Sequence, residues 1–246
     1  MIFIFLRTAL SYIFCVLVVI IFVIFGFVYL ILPQRYRFTS RLFYWWLHVT
    51  YLGLLKATFL RITVIGREHI PRDPAIIASN HQSLLDIPLV GSLVGSFPHI
   101  WLAWIELYKW FALGLLIRKL SVPIDVSSLQ KAVKSLRTAV NTVQKYHAHA
   151  IIFPEGQRHT DGEIHKFFGG FVTLARKTGR PVVPVRIFNL EKVYPPGSFL
   201  AYRYPVYVVV GKPMRMQEDE SDEAFKNRVH QWFVEQKLPV VAQKGR

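Results

Sequence analysis

One polar segment, Ser79-Asn80-His81-Gln82-Ser83-Leu84-Leu85-Asp86, holds two side chains suited to moving a proton at neutral pH. An imidazole titrates near neutrality, and a carboxylate bonded to one ring nitrogen fixes the proton there and leaves the other nitrogen free as a base. His81 and Asp86 stand five positions apart and cannot share one face of a continuous helix. A working pair therefore needs His81 on a loop and Asp86 in the first helical turn, reaching back. The same residues have a structural reading. Ser83-x-x-Asp86 has the spacing of a capping box, with Asp86 closing a helix N-terminus and His81 a loop histidine. Local spacing leaves both readings open.

A second cluster, Phe153-Pro154-Glu155-Gly156-Gln157-Arg158, lies farther along. A glycine at a strand exit lets backbone amides approach an anion, and the Arg158 fork suits a phosphate. By itself Pro154-Glu155-Gly156-x-Arg158 is also ordinary turn chemistry. His159 and His165 are two potential metal ligands without a third at ligand spacing, so no metal is expected. The single cysteine, Cys15, lies in an apolar run and can form neither an intramolecular disulfide nor a thiolate cluster. No Gly-x-Ser-x-Gly elbow occurs, which argues against a serine lipid hydrolase.

These clusters need elements to position them. From Arg61 onward, short β-branched runs alternate with longer periodic segments, the mark of an α/β domain. Strands are predicted at Ile62–Ile65, Ala75–Ala78, Ile100–Ala103, Ala150–Phe153, Val182–Ile187 and Val206–Val210. Helices are predicted at Leu84–Val94, Leu107–Leu120, Leu129–Lys145, Phe171–Lys177 and Glu223–Lys237. Both polar clusters thus follow a strand, at the carboxyl edge where α/β sheets place their sites. Val133, Leu136, Val140 and Val143 form the apolar stripe of a sheet-covering helix. The acids within Glu218–Glu223 match the positive end of the last helix, and Pro195-Pro196-Gly197 is a loop.

The N-terminal part differs in kind. Thr8 to Leu32 carries no charged side chain, and as a helix would reach roughly 37 Å, enough to cross a hydrocarbon core with some tilt. The apolar run is too long for a secretory signal, and no small-residue cleavage site precedes Pro33. The net charge is +15, and Arg7, Arg35, Arg37, Arg41, Lys56, Arg61 and Arg67 all precede the first acid, Glu68. Arg35, Arg37 and Arg41 just after the run place the bulk of the chain on the cytoplasmic side of the membrane. The basic excess points to anionic lipid rather than nucleic acid, for which no recognition helix, zinc spacing or RNA-binding signature is present. Leu42–Leu55, uncharged and carrying Tyr44, Trp45, Trp46 and Tyr51, is either an interfacial or re-entrant helix or a core helix.

Taken together, the clusters resemble the motifs of the glycerolipid acyltransferase family, above all its bacterial 1-acylglycerol-3-phosphate acyltransferases, over most of Ile65 to Pro213. Asn80-His81-Gln82-Ser83-Leu84-Leu85-Asp86 is similar to the first motif, His-four-residues-Asp, and Phe153 to Arg158 to the third, Phe-Pro-Glu-Gly-Thr-Arg. Val182-Val183-Pro184-Val185 resembles the fourth, and Lys166 to Gly169 the turn after the third.

The resemblance implies a central mixed sheet flanked by helices behind an N-terminal membrane helix or helix pair. It implies His81 as general base and Asp86 as its orienting partner. Asn80, Ser83, Glu155, Gly156, Arg158, Lys166 and Pro184 would contact substrate, the third motif holding the acceptor's phosphate. The acyl donor would be acyl-CoA or acyl carrier protein, the acceptor a lysophospholipid in the membrane, and neither cofactor nor metal would be needed. The oxyanion would be met by amides at the start of the helix after Ser83 or in the Gly156 turn. Four positions depart from the pattern: Val126 stands where Arg is usual, Trp104 where Lys is usual, Gln157 for Thr, and Arg186 for a small residue. The first two remove cations from the acceptor side, which bears on the headgroup. The expected division is residues 1–60 as membrane-anchoring helices and 61–246 as the catalytic domain, the latter folding without the former.

Overall fold

Chains of β-branched residues that are apolar on both faces are stable only in a sheet covered on both sides. The computed structural model describes residues 2–238 except Trp110 and Pro196, so the predicted Leu107–Leu120 helix and the Pro195–Gly197 loop each contain a position outside the described residues. Seven strands form one mixed sheet: β1 (Ile62–Ile65), β2 (Ile76–Ser79), β3 (His99–Trp104), β4 (Ser121–Ile124), β5 (His149–Ile152), β6 (Val182–Phe188) and β7 (Val206–Val210). Their order is β1-β7-β6-β2-β5-β3-β4, parallel throughout except for the antiparallel pair β6 and β7.

β4 has no counterpart among the predicted strands. Its Pro123 cannot donate to a ladder, and the strand survives because it lies at the edge, paired on one side with β3.

The helices are α1 (Ile2–Ile31), α2 (Gln34–Arg37), α3 (Arg41–Ala57), α4 (Asp86–Val94), α5 (Phe111–Leu120), α6 (Leu129–Lys145), α7 (Gly170–Thr178) and α8 (Asp222–Glu235). A 3₁₀ turn, Ile105–Lys109, takes up the first part of the segment predicted as one helix to Leu120. On one sheet face Ile76, Ala78, Ile100 and Ala150 meet Phe171, Leu174, Phe225 and Phe233 from α7 and α8. On the other, Ile77, Ile151, Val183 and Val185 meet Leu89, Val90 and Leu93 from α4. In α6, Ala139 and Val143 are buried while Val133 is exposed, so the predicted stripe is buried only toward its C-terminal end. Ser221 caps α8 by accepting from the Ala224 amide at 3.1 Å, and Glu220 pairs with Arg228.

α1 is long and apolar enough to cross a membrane. Gly53 of α3 meets Val18, and Gly26 meets Trp46, which joins α1 to α3. Nearer its start, Thr8 Oγ1 accepts from the Ala201 amide and the Tyr12 hydroxyl donates to the Phe199 carbonyl. Arg37 is buried, and its guanidinium donates to the carbonyls of Tyr29 and Leu32 at the end of α1. That cation is a helix C-cap and not a free charge flanking the apolar run.

α3 corrects the interfacial reading of Leu42–Leu55. Phe43, Tyr44, Leu47, Tyr51 and Leu55 are buried, and only Leu42, Trp45 and Val49 of its large apolar residues are exposed. Tyr44 donates to the His99 carbonyl, and the Tyr51 hydroxyl joins His99 Nε2 to Trp101 Nε1. Gly91 of α4 lies under the Tyr51 ring, where a Cβ would overlap it. A segment rich in Tyr and Trp looks alike in sequence at a headgroup boundary and in a core, and here the polar ends of the rings are satisfied by protein. Deletion of residues 1–33 is expected to leave a cooperatively unfolding protein, whereas deletion of 1–60, which strips these rings from the core, is expected to abolish the thermal transition measured by circular dichroism.

Two histidines lie opposite each other in register, His99 on β3 and His149 on β5, both buried. His149 Nδ1 accepts from the Ala75 amide at 3.1 Å, so that nitrogen carries no proton. Burial lowers His99 to about 4 and His149 to about 3, against an ordinary value of 6.5. Above pH 6.5 both are neutral in either state and stability is unaffected. As pH falls below it, the unfolded chain takes up protons that the folded one refuses, and stability declines by up to about 1.4 kcal/mol per pH unit for each ring. The melting temperature should therefore fall between pH 6.5 and 4, with His149→Gln giving a shallower slope; an unchanged slope would remove His149 from the account.

Candidate active site

β2 has β5 on one side and β6 on the other, so the segments leaving these strands emerge side by side at one edge of the sheet. β2 ends at Ser79 and delivers His81 to the loop before α4. Asp86 is the first residue of α4 and its side chain turns back over that loop. Its Oδ2 accepts from His81 Nδ1 at 2.7 Å, from the Gln82 amide at 2.5 Å and from the Ser83 amide at 2.8 Å. The carboxylate is fully buried, the imidazole mostly so. Because the carboxylate only accepts, Nδ1 carries the ring proton and Nε2 presents its lone pair, with no protein hydrogen-bond partner among the described residues. Asp86 thus both caps the loop and holds the ring: the two sequence readings are two consequences of one side chain.

The ring is also held from the side. Phe153, the first residue of the second cluster, stacks on it at 4.0 Å between centroids and 7° between planes, and Trp101 packs on Phe153. Nothing in the spacing signalled Phe153 as a support; its place directly after β5, beside β2, is what brings it there.

Glu155 is buried and accepts two amides: His81 N–H on Oε2 and His165 N–H on Oε1, each at 3.0 Å. The His81 carbonyl in turn accepts from the His159 amide at 2.8 Å. Both backbone polar groups of His81 are therefore held by the second cluster and the residue that follows it, which stitches the two segments together. Gly156 follows with a φ of +74°, and a Cβ there would press on the Phe168 ring at 2.9 Å, so the turn requires glycine.

Of the other expected contact residues, Asn80 uses both polar ends of its side chain on Ile187 of β6, donating to its carbonyl at 3.0 Å and accepting its amide at 2.7 Å. Ser83 is buried and accepts the Leu85 amide. These two, with Glu155, hold backbone. Arg158 and Lys166 are exposed on the stretch after the Gly156 turn and make no ion pair among the described residues. Pro184 is buried in β6 opposite Ala78, with its ring close to Gly211. It belongs to the sheet core.

Of the amides expected to meet an oxyanion, Leu85 donates to Ser83 Oγ, Asp86 to the Ser83 carbonyl and Gly156 to the Phe153 carbonyl, while the Leu84 amide has no acceptor among the described residues. The Gln157 and Arg158 amides have no acceptor among the described residues. His159 and His165 stack at 3.6 Å, with His165 Nε2 bonded to Asp161 at 2.7 Å. At the positions of the missing cations the surface is apolar, with Trp104 and Val126 both exposed.

The comparisons with known proteins agree with this geometry. The Acyltransferase family model matches residues 61–188, which include both clusters and β6. A chloroplastic 1-acyl-sn-glycerol-3-phosphate acyltransferase of Brassica napus is 31% identical over 202 residues, 80% of this chain and 57% of that protein. The 1-acyl-sn-glycerol-3-phosphate acyltransferase of Pseudomonas aeruginosa is 30% identical over 190 residues, 76% of this chain and 72% of the other. The chain thus spans a little over half the length of the chloroplastic relatives from Brassica napus and Arabidopsis thaliana that it matches. The crystal structure of the 1-acyl-sn-glycerophosphate acyltransferase PlsC from Thermotoga maritima superposes with a TM-score of 0.73 at 25% identity, over 100% of this chain and 98% of that one. With more than half of its length matched by the family model and its paired His and Asp in place at the sheet edge, the chain belongs to the Acyltransferase family.

Proposed function

We propose that the chain transfers a fatty acyl group from acyl-CoA or acyl carrier protein to the free hydroxyl of 1-acyl-sn-glycerol-3-phosphate, giving phosphatidic acid. The observation that carries this reading is the His81 ring, fixed by Asp86 through Nδ1 and stacked on Phe153, with Nε2 left to act as base. His81 Nε2 takes the hydroxyl proton as the oxygen attacks the thioester carbonyl, and Asp86 stabilises the imidazolium that forms. The tetrahedral intermediate collapses with expulsion of the thiolate, which takes the proton from His81. A thiolate leaves readily, so the step has no need of a metal or an acyl-enzyme. The unpartnered Gln157 and Arg158 amides are the donors we assign to the oxyanion.

The acceptor's phosphate falls to Arg158 and Lys166, both exposed beside the Gly156 turn. α1 and its exposed apolar surface keep the enzyme where long-chain substrates reside, each methylene left in lipid being worth about 0.8 kcal/mol. Arg35 and Arg41, beyond its C-terminal end, favour the cytoplasmic side of the inner membrane for the catalytic part.

One observation favours a second acceptor reading. Trp104 and Val126 present apolar surface where the family pattern carries cations, which suits a lyso-lipid whose headgroup is not a bare phosphate monoester. A thiol-release assay with acyl-CoA and a panel of lyso-lipids differing only in headgroup separates the two. Lysophosphatidate should be the best acceptor, and His81→Ala, still folded, should lose about 10²- to 10⁴-fold of the rate. Equal rates for wild type and variant would leave a lipid-binding protein without catalysis.

A further inference from the structure

Behind the His81 loop lies a buried charge that the proposed chemistry does not use. Arg186, in β6, is 6% exposed, and its Nη2 donates to the Gly162 carbonyl at 2.8 Å. Its Nε and Nη1 are buried without hydrogen-bond partners. Burial lowers the guanidinium's proton affinity, and the charges of Glu155, Glu163 and Glu191 oppose that fall. Glu191 is itself buried, with one carboxylate oxygen unpartnered, and burial raises its pKa. Arg186 is thus a buried cation on which the charges of Glu155, Glu163 and Glu191 act, without an ion pair to any of them among the described residues.

Its one direct bond falls on a particular place. Gly162 lies midway along the stretch between the Gly156 turn and Lys166, with a φ of +83°. That stretch is tied to His81 at its ends, by the His159 amide on the His81 carbonyl and by Glu155, which accepts both His81 N–H and His165 N–H. Between these ties, Arg186 reaches up from the sheet and holds the middle. A charged donor to a backbone carbonyl in a water-poor setting is a stronger hold than a neutral one.

We infer that Arg186 is a positioning residue that fixes the Gly156–Lys166 stretch, and with it the exposed Arg158 and Lys166, over the acceptor's side of the site. The inference rests on the acyl-transfer reading above. It assigns Arg186 no contact with substrate. What it sets is acceptor affinity, and the donor and the base step are left nearly unchanged.

The test uses the full-length chain in mixed micelles with palmitoyl-CoA and lysophosphatidate, measuring KM for each substrate separately. Wild-type thiol release that depends on lysophosphatidate and on His81 establishes the reaction; its absence defeats the functional reading and leaves Arg186 out of the question. Given that activity, Arg186→Met should raise the acceptor KM about tenfold or more while the donor KM and kcat stay within about threefold. Arg186→Lys, which keeps a charged donor on the same side, should recover most of the acceptor KM. If Arg186→Met does not fold, Gly162→Ala, which strains the same stretch at its positive φ, should give the same selective rise. An acceptor KM unchanged in these variants, or acceptor and donor KM rising together, overturns the inference.

Discussion

Two buried carboxylates hold the site together. Asp86 collects three N–H groups on a single oxygen, and Glu155 takes one amide from each of two loops. A carboxylate out of water is costly unless donors meet it, and here both oxygens of Glu155 and Oδ2 of Asp86 are met mostly by backbone amides of the loop that must be shaped, while Asp86 Oδ1 is buried without a partner. The requirement runs both ways: the anions are stable because the loop is folded around them, and the loop has one conformation because the anions are there. His81 is the residue on which this converges, with its amide, its carbonyl and its ring each held by a different partner.

The sheet explains why residues so far apart in sequence arrive at one point. β2 is central, and the segments that follow β2 and β5 leave adjacent parallel strands in the same direction. β6 approaches from the other side and supplies Ile187 to Asn80 and Arg186 to Gly162. Reversing β7 against β6 closes the sheet with β1 at its far edge, well removed from the chemistry. His81, Arg158 and Lys166 thus stand on loops, with Asp86 in the first turn of α4, and the rigidity of these segments comes from the buried strands beneath.

Much of this was legible in the residues. The β-branched runs located six of the seven strands to within a residue or two, and the five-residue spacing of His81 and Asp86 forced the loop-and-first-turn geometry that the structure contains. β4 was not legible, because Pro123 argues against a strand anywhere but at an edge, and edge position is a property of the whole sheet. Asn80, Ser83 and Glu155, marked by the motifs as substrate contacts, each hold backbone in the structure; a motif marks a side chain as required without saying which partner requires it. Phe153 beneath His81 and the core placement of Tyr44 and Tyr51 depend on which strands are neighbours, and local pattern carries no information on that.

The central claim is that the carboxylate fixes the proton on one nitrogen of His81 and leaves the other as a base. Nitrogen-15 correlation spectra of histidine-labelled protein, with the His81 signals assigned by their loss in His81→Asn, read the tautomer directly. At neutral pH the account predicts a protonated Nδ1 and an unprotonated Nε2. A proton on Nε2, or two nitrogens exchanging it freely, would contradict the account.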